Sequence, residues 1–146
     1  MTNITEKDID QLNSFLRGEL SAVETYQQCI DKMSDRNIVA QLRSLQQSHQ
    51  RRAELLTDRV RMLGGKPAQG SGVWGSFAKV AEGSAKLFGE SAAVSALEEG
   101  EDHGRDDYRR DVAKLEGEAR TFVTTNIMPE QERTHRALSD LKRSLS

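Results

Sequence analysis

The sequence predicts an all-α protein, a four-helix bundle of up-down-down-up topology, and three observations lead there. Apolar residues recur with helical spacing along almost the whole chain, and no stretch alternates with period two for long enough to make a sheet. The helices fall into two pairs, each joined by only a few residues, so the members of each pair are antiparallel neighbours. Between the pairs stands a connection over residues 64–90, far longer than a plain up-and-down bundle needs.

The first helix is expected over about 5–33, opened by a capping-box-like pair, Thr5 and Asp8. Its core stripe reads Leu12, Leu16, Glu19, Val23, Tyr26 and Ile30, in steps of four and three. Ser34 or Asp35 caps a second helix over about 35–63, with Ile38, Leu42, Leu45, His49, Leu56, Val60 and Leu63 on its inner side. The run "LGGKP" ends it, because Gly64 permits a left-handed turn and Pro67 blocks continuation. The crossover is rich in Gly and Ser in "KPAQGSGVWGS", and "FAKVAEGSAKLFG" then forms a short, weakly amphipathic extra helix. Trp74, Phe77, Leu87 and Phe88 carry enough apolar surface that the segment should pack along the bundle. A third long helix is expected over about 91–115, with Val94, Leu97, Glu98, Glu101, Tyr108, Val112 and Leu115 near one face. The fourth spans about 118–143, with Phe122, Met128, Glu132, His135, Leu138, Leu141 and Leu145 on its buried side. Pro129 should kink or restart it. No tandem repeat is evident, and 1–146 reads as one domain.

Composition excludes several function classes. The 21 basic and 23 acidic residues nearly cancel, so no overall field favours nucleic acid or an anionic membrane surface. Protection of DNA by a shell of such bundles would need a basic tail, and "MTNITEK" is not one. A single cysteine, Cys29, precludes an intrachain disulfide or a Cys-rich zinc site. No Gly-x-Ser-x-Gly elbow is present, and Cys29 has no histidine close by in its segment, so nucleophilic catalysis is not indicated. With no apolar run of spanning length and no leader-like N-terminus, the expectation is a soluble, cytoplasmic, unprocessed protein.

The charged residues on the inner stripes carry the functional question. Di-iron bundles take one Glu from each of two helices and Glu-x-x-His from each of the other two, since residues three apart share a helix face. Here the first helix offers Glu19 and the third offers Glu98 and Glu101, one turn apart. The second offers His49, preceded at the expected spacing by Gln46 instead of Glu, and the fourth offers Glu132 and His135 in "ERTH". Carboxylates with two imidazoles favour Fe or Mn over a closed zinc site, and the neutral Gln46 weakens the hold on a second ion. Tyr26 and Tyr108 would donate hydrogen bonds or pass electrons if they reach that centre. His103, Glu24 and Glu54 point away from it by helical angle.

The first-helix segment "LNSFLRGELSAVETY" resembles that of bacterioferritin- and rubrerythrin-type bundles, with Glu19 on their metal glutamate. Taken with "SHQRRAELLTDRVRMLGGKP", "GSGVWGS", "ALEEGEDHGRDDY" and "EQERTHRALSDL", it is similar in order and spacing to a bacterial family of ferritin-like bundles known only as a domain of unknown function. The resemblance covers about Leu12 to Leu141 and implies the ferritin-like fold. From the metal-binding relatives it carries over Glu19, His49, Glu132 and His135, with Glu98 or Glu101 in the third-helix role.

Two readings stand side by side. In one, the chain binds one or two Fe or Mn ions at a degenerate di-iron-type site, with at most a weak ferroxidase-like activity and a role in stress or metal handling. In the other, it is a metal-free structural or stress-associated interaction protein with a vestigial polar core, its buried glutamates paired across the bundle with Arg17, Arg43, Arg52 or Arg105. Self-association as a homodimer along Ile9, Leu20 or the Trp74 region belongs to either reading.

Overall fold

A computed structural model describes residues 2–70 and 89–145, with side chains from residue 4 onward. The expected extra helix in the crossover, and the packing of Trp74, Phe77, Leu87 and Phe88, lie outside these residues. Helix α1 spans Thr2–Asp31, α2 Arg36–Met62 and α3 Glu90–Asp111; after a short 3-10 turn, Val112–Lys114, α4 covers Gly117–Phe122. A π-helical turn, Val123–Ile127, joins α4 without a break to α5, Met128–Ser144, so that both form the fourth rod of the bundle. The architecture is an all-α four-helix bundle.

Contacts at the two ends fix the direction of each rod. At one end Asp8 on α1 accepts the Glu116 N–H beyond α3 at 3.1 Å. There too Asn13 clasps the segment after α2, donating to the Lys66 carbonyl at 3.0 Å and accepting the Ala68 N–H at 2.8 Å. At the other end Glu90 Oε1, on the first residue of α3, accepts the Ser34 N–H and hydroxyl and the Asp35 N–H within 2.9–3.3 Å, in the α1–α2 turn. Helices α2 and α3 therefore run parallel, each antiparallel to α1, so that the end of α2 and the start of α3 lie at opposite ends of the bundle, about 40 Å apart for helices of this size.

Local chemistry accounts for the helix ends. Asp35 caps α2 by accepting from the Asn37 and Ile38 N–H groups. Gly64, at φ +84°, closes it: the Gly65 N–H donates to the Val60 carbonyl and the Gly64 N–H to that of Arg61, the two bonds of a Schellman motif. Asp8 does not serve the capping box read from the sequence. The helix already starts at Thr2, and the buried Asp8 carboxylate instead satisfies the backbone before α4.

Two apolar clusters fill the interior. One gathers Tyr26, Ile30, Ile38, Leu42, Leu97 and Leu138 among others; the second holds Leu12, Leu16, Leu56, Tyr108, Phe122 and Ile127. Between them, at mid-height, lies a layer of polar side chains.

Candidate functional site: a buried ion cluster

Glu19 on α1 and Glu101 on α3 enter this layer from neighbouring, antiparallel helices, and both are almost fully buried, at 3% and 2% exposure. His49 on α2 bridges them, with Nδ1 2.6 Å from Glu19 Oε1 and Nε2 2.7 Å from Glu101 Oε2. One turn further along α2, Arg52 (1% exposed) lays its Nε 3.2 Å from Glu19 Oε2. Its Nη1 donates to Gln131 Oε1 and Thr134 Oγ1 on α5, at 3.3 and 3.4 Å.

Two tyrosines complete the carboxylate shells in a reciprocal pattern. Tyr26, seven residues after Glu19 on α1, donates its hydroxyl to Glu101 Oε2 at 2.5 Å. Tyr108, seven residues after Glu101 on α3, donates to Glu19 Oε2 at 2.6 Å. Glu101 Oε1 further accepts the Gln131 amide at 3.2 Å and the Thr134 hydroxyl at 3.0 Å. Each tyrosine thus gives its ring to one apolar cluster and its hydroxyl to the polar layer, as the amphipathic character of a phenol allows.

The partners define the protonation state. An ionised carboxylate only accepts, so an imidazole facing one at each ring nitrogen must donate from both, and only the imidazolium does that. Arg52 Nη2 lies 2.5 Å from Nδ1 and 2.9 Å from Nε2 of the same ring. A guanidinium only donates, so this contact opposes the imidazolium that the two carboxylates favour. Burial and Arg52 push the His49 pKa down, but Glu101 and Glu19 outweigh them and the net shift is upward. Burial pushes Glu101 up, yet His49, Arg52 and the Tyr26 hydrogen bond prevail and hold it at about 2. Glu19 is likewise lowered against its burial, by Arg52 and His49. Both phenols are raised well above their ordinary range, first by burial and then by the carboxylate each one faces. Two carboxylates, one guanidinium and one imidazolium leave the layer with no net charge.

Of the residues singled out in the sequence, Glu19, His49 and Glu101 come together here. Glu98 instead meets Lys142 at 2.9 Å on the α3–α5 seam. Glu132 pairs with Arg109 at 2.8 Å and is half-exposed. His135 sits beside Asp102 and Arg105, at 2.5 and 3.0 Å. Gln46 turns toward α1, where it donates to the Val23 carbonyl and Gln27 Oε1. The inward positions at i, i+3 spacing are His49 and Arg52 on α2, and Gln131 and Thr134 on α5. Of the four arginines that the sequence offers as cross-bundle partners, Arg52 is the one in the layer.

These donors do not suit a metal ion as they stand. Both nitrogens of His49 are committed to carboxylates, and a guanidinium already lies among the three side chains that would bind. Among the described residues, no group of three or more His, Cys, Asp or Glu side chains is disposed to hold a metal ion.

A family model described as Domain of unknown function (DUF2383) matches residues 7–114. The chain belongs to that family. The matched region contains every charged member of the DUF2383 cluster, with both tyrosines, whereas Gln131 and Thr134 come from the fourth rod beyond it. No curated protein and no solved structure matches the chain. No described helix is long and apolar enough to cross a membrane.

Proposed function

We propose that this DUF2383 protein is a ferritin-like bundle that works without a resident metal, as a structural, interaction-type protein that acts through its outer faces. The observation that carries this reading is Arg52, buried beside Glu19 within a layer that His49 and Glu101 complete. A di-iron bundle presents four carboxylates and two imidazoles at its centre. Here the two single glutamates correspond to Glu19 and Glu101, but the paired positions hold His49 with Arg52 and Gln131 with Thr134. Two carboxylates are thereby replaced, and the positive charge that metal ions would bring is supplied from within the chain. Iron or manganese could enter only if Arg52 left the layer and His49 gave up both a proton and a carboxylate partner, so no ferroxidase turnover is expected. A stress-associated role, and self-association along α1, fit the same reading.

Ligand-linked stability tests it, because an ion that binds the folded state raises the unfolding midpoint in proportion to the logarithm of its concentration. Urea unfolding with anaerobic ferrous iron, with Mn²⁺ and with chelator should give the same midpoint. A saturable rise with either metal that disappears in Glu19→Ala would refute the proposal.

A further inference from the structure

The chain contains only two tyrosines, and both donate to the two carboxylates of the layer, at 2.5 and 2.6 Å. A core tyrosine needs just one partner for its hydroxyl, and a backbone carbonyl would serve. A phenol held against an ionised carboxylate in a buried layer has a further chemical property. Loss of an electron turns the phenol into a very strong acid, and the acceptor for its proton is already in hydrogen-bond contact.

We propose that Tyr26 and Tyr108 act as a buried, proton-coupled sink for one oxidising equivalent delivered by a diffusible radical oxidant, of the kind formed in peroxide breakdown. The phenol O–H bond breaks: the electron passes to the oxidant, which is reduced, and the proton passes to Glu101 Oε2 from Tyr26 or to Glu19 Oε2 from Tyr108. A neutral tyrosyl radical remains, and a later one-electron reductant such as a thiol restores the phenol as the proton returns. Burial of both rings, at 2% and 4% exposure, keeps the radical from coupling with a second molecule. The oxidant need not enter, since the layer is only about one helix diameter, some 10 Å, from the surface. The polar layer tolerates the transferred proton because Thr134 and Gln131 still bond the same Glu101 carboxyl group. No step involves a metal, so this inference and the metal-free reading stand or fall separately.

The probe is azidyl radical generated by pulse radiolysis, applied to the full chain in a Trp74→Phe background that removes the sole tryptophan. A tyrosyl signal in optical and electron paramagnetic resonance spectra is expected, longer-lived in the folded than in the urea-unfolded protein and absent from Tyr26→Phe/Tyr108→Phe. Its formation should slow in D₂O, a readout that needs no further substitution. With Tyr108→Phe isolating Tyr26, adding Glu101→Gln should slow formation again while circular dichroism stays unchanged. A radical no longer-lived than in the unfolded chain, or one indifferent to D₂O, would overturn the proposal.

Discussion

At the scale of single residues, Arg52 and His49 are the groups whose loss the layer tolerates least. Taking one member from a buried, hydrogen-bonded ion cluster leaves the others charged and unpaired, which costs about 3–5 kcal/mol. Arg52→Met keeps the volume and removes the charge, so urea unfolding should report a loss of that size. Glu19→Gln added to Arg52→Met should cost less than the sum of the two single changes, because the residues share one network. Linkage gives the pH profile. Glu19 and Glu101 have lowered folded-state pKa values, so their contribution is present above the ordinary 4.5 and is lost as the pH falls, toward about 2 for Glu101. For Glu101 that drop corresponds to roughly 3 kcal/mol. His49 is raised, so its contribution is complete below the ordinary 6.5 and is lost as the pH rises through the folded value. Stability should therefore peak between these limits, and in His49→Gln the alkaline loss should vanish while the acid loss persists. Three members of this cluster were legible in the sequence because a carboxylate or imidazole on an apolar stripe is conspicuous. Arg52 was legible only as one of four arginines able to pair with a buried glutamate, since an arginine beside a stripe ordinarily carries its charge out to water. The signal that could have located the layer is the repeated Glu-x6-Tyr of Glu19 to Tyr26 and Glu101 to Tyr108.

At the scale of elements, the π turn Val123–Ile127 determines which side chains the fourth rod presents. Phe122 and Gln131 are nine positions apart, about 180° around an uninterrupted α-helix, yet both are buried. A π turn absorbs about one extra residue, which rotates the downstream residues by roughly 100° and brings Gln131 and Thr134 inward. This is why Glu132 and His135, one position further on, face the α3–α5 seam and its ion pairs. A Glu-x-x-His spacing shows that two residues share a face; it does not show which face, and counted back from the buried Leu138 at about 100° per residue Gln131 and Thr134 fall within roughly 40° of it, whereas Glu132 lies about 120° away. Deleting Thr125, an exposed residue of the turn, should convert it to ordinary α-helix and change stability by no more than about 1–2 kcal/mol, with the inward residues preserved. Inserting an alanine after Met128 should instead turn Gln131 and Thr134 away from Glu101 and cost more than about 3 kcal/mol by urea unfolding. The other boundaries were readable because their chemistry is local: the Asp35 cap, the left-handed Gly64, and Pro129 at the start of α5. Asp8 was misread because its partner, Glu116, lies 108 positions away.

At the scale of the whole molecule, the bundle consists of two apolar clusters held in register by a neutral ionic layer. Mid-height charge is expensive unless every group is matched, and such matching selects one alignment of the four rods over shifted ones. All the charge in that layer comes from α1, α2 and α3 within the region that defines the family, while the fourth rod closes it with an amide and a hydroxyl. Periodicity and the long crossover made this architecture readable, since both depend only on residue spacing. The neutral balance was not readable, because it depends on which side chains converge. The account rests on Arg52 supplying positive charge beside Glu19 within the buried layer, and elemental analysis tests that most directly. After anaerobic exposure of the protein to ferrous iron and removal of the excess, bound iron per chain should be negligible, in the wild type as in Glu19→Ala. Near-stoichiometric iron in the wild type, lost in Glu19→Ala, would contradict the account and make the centre a metal site.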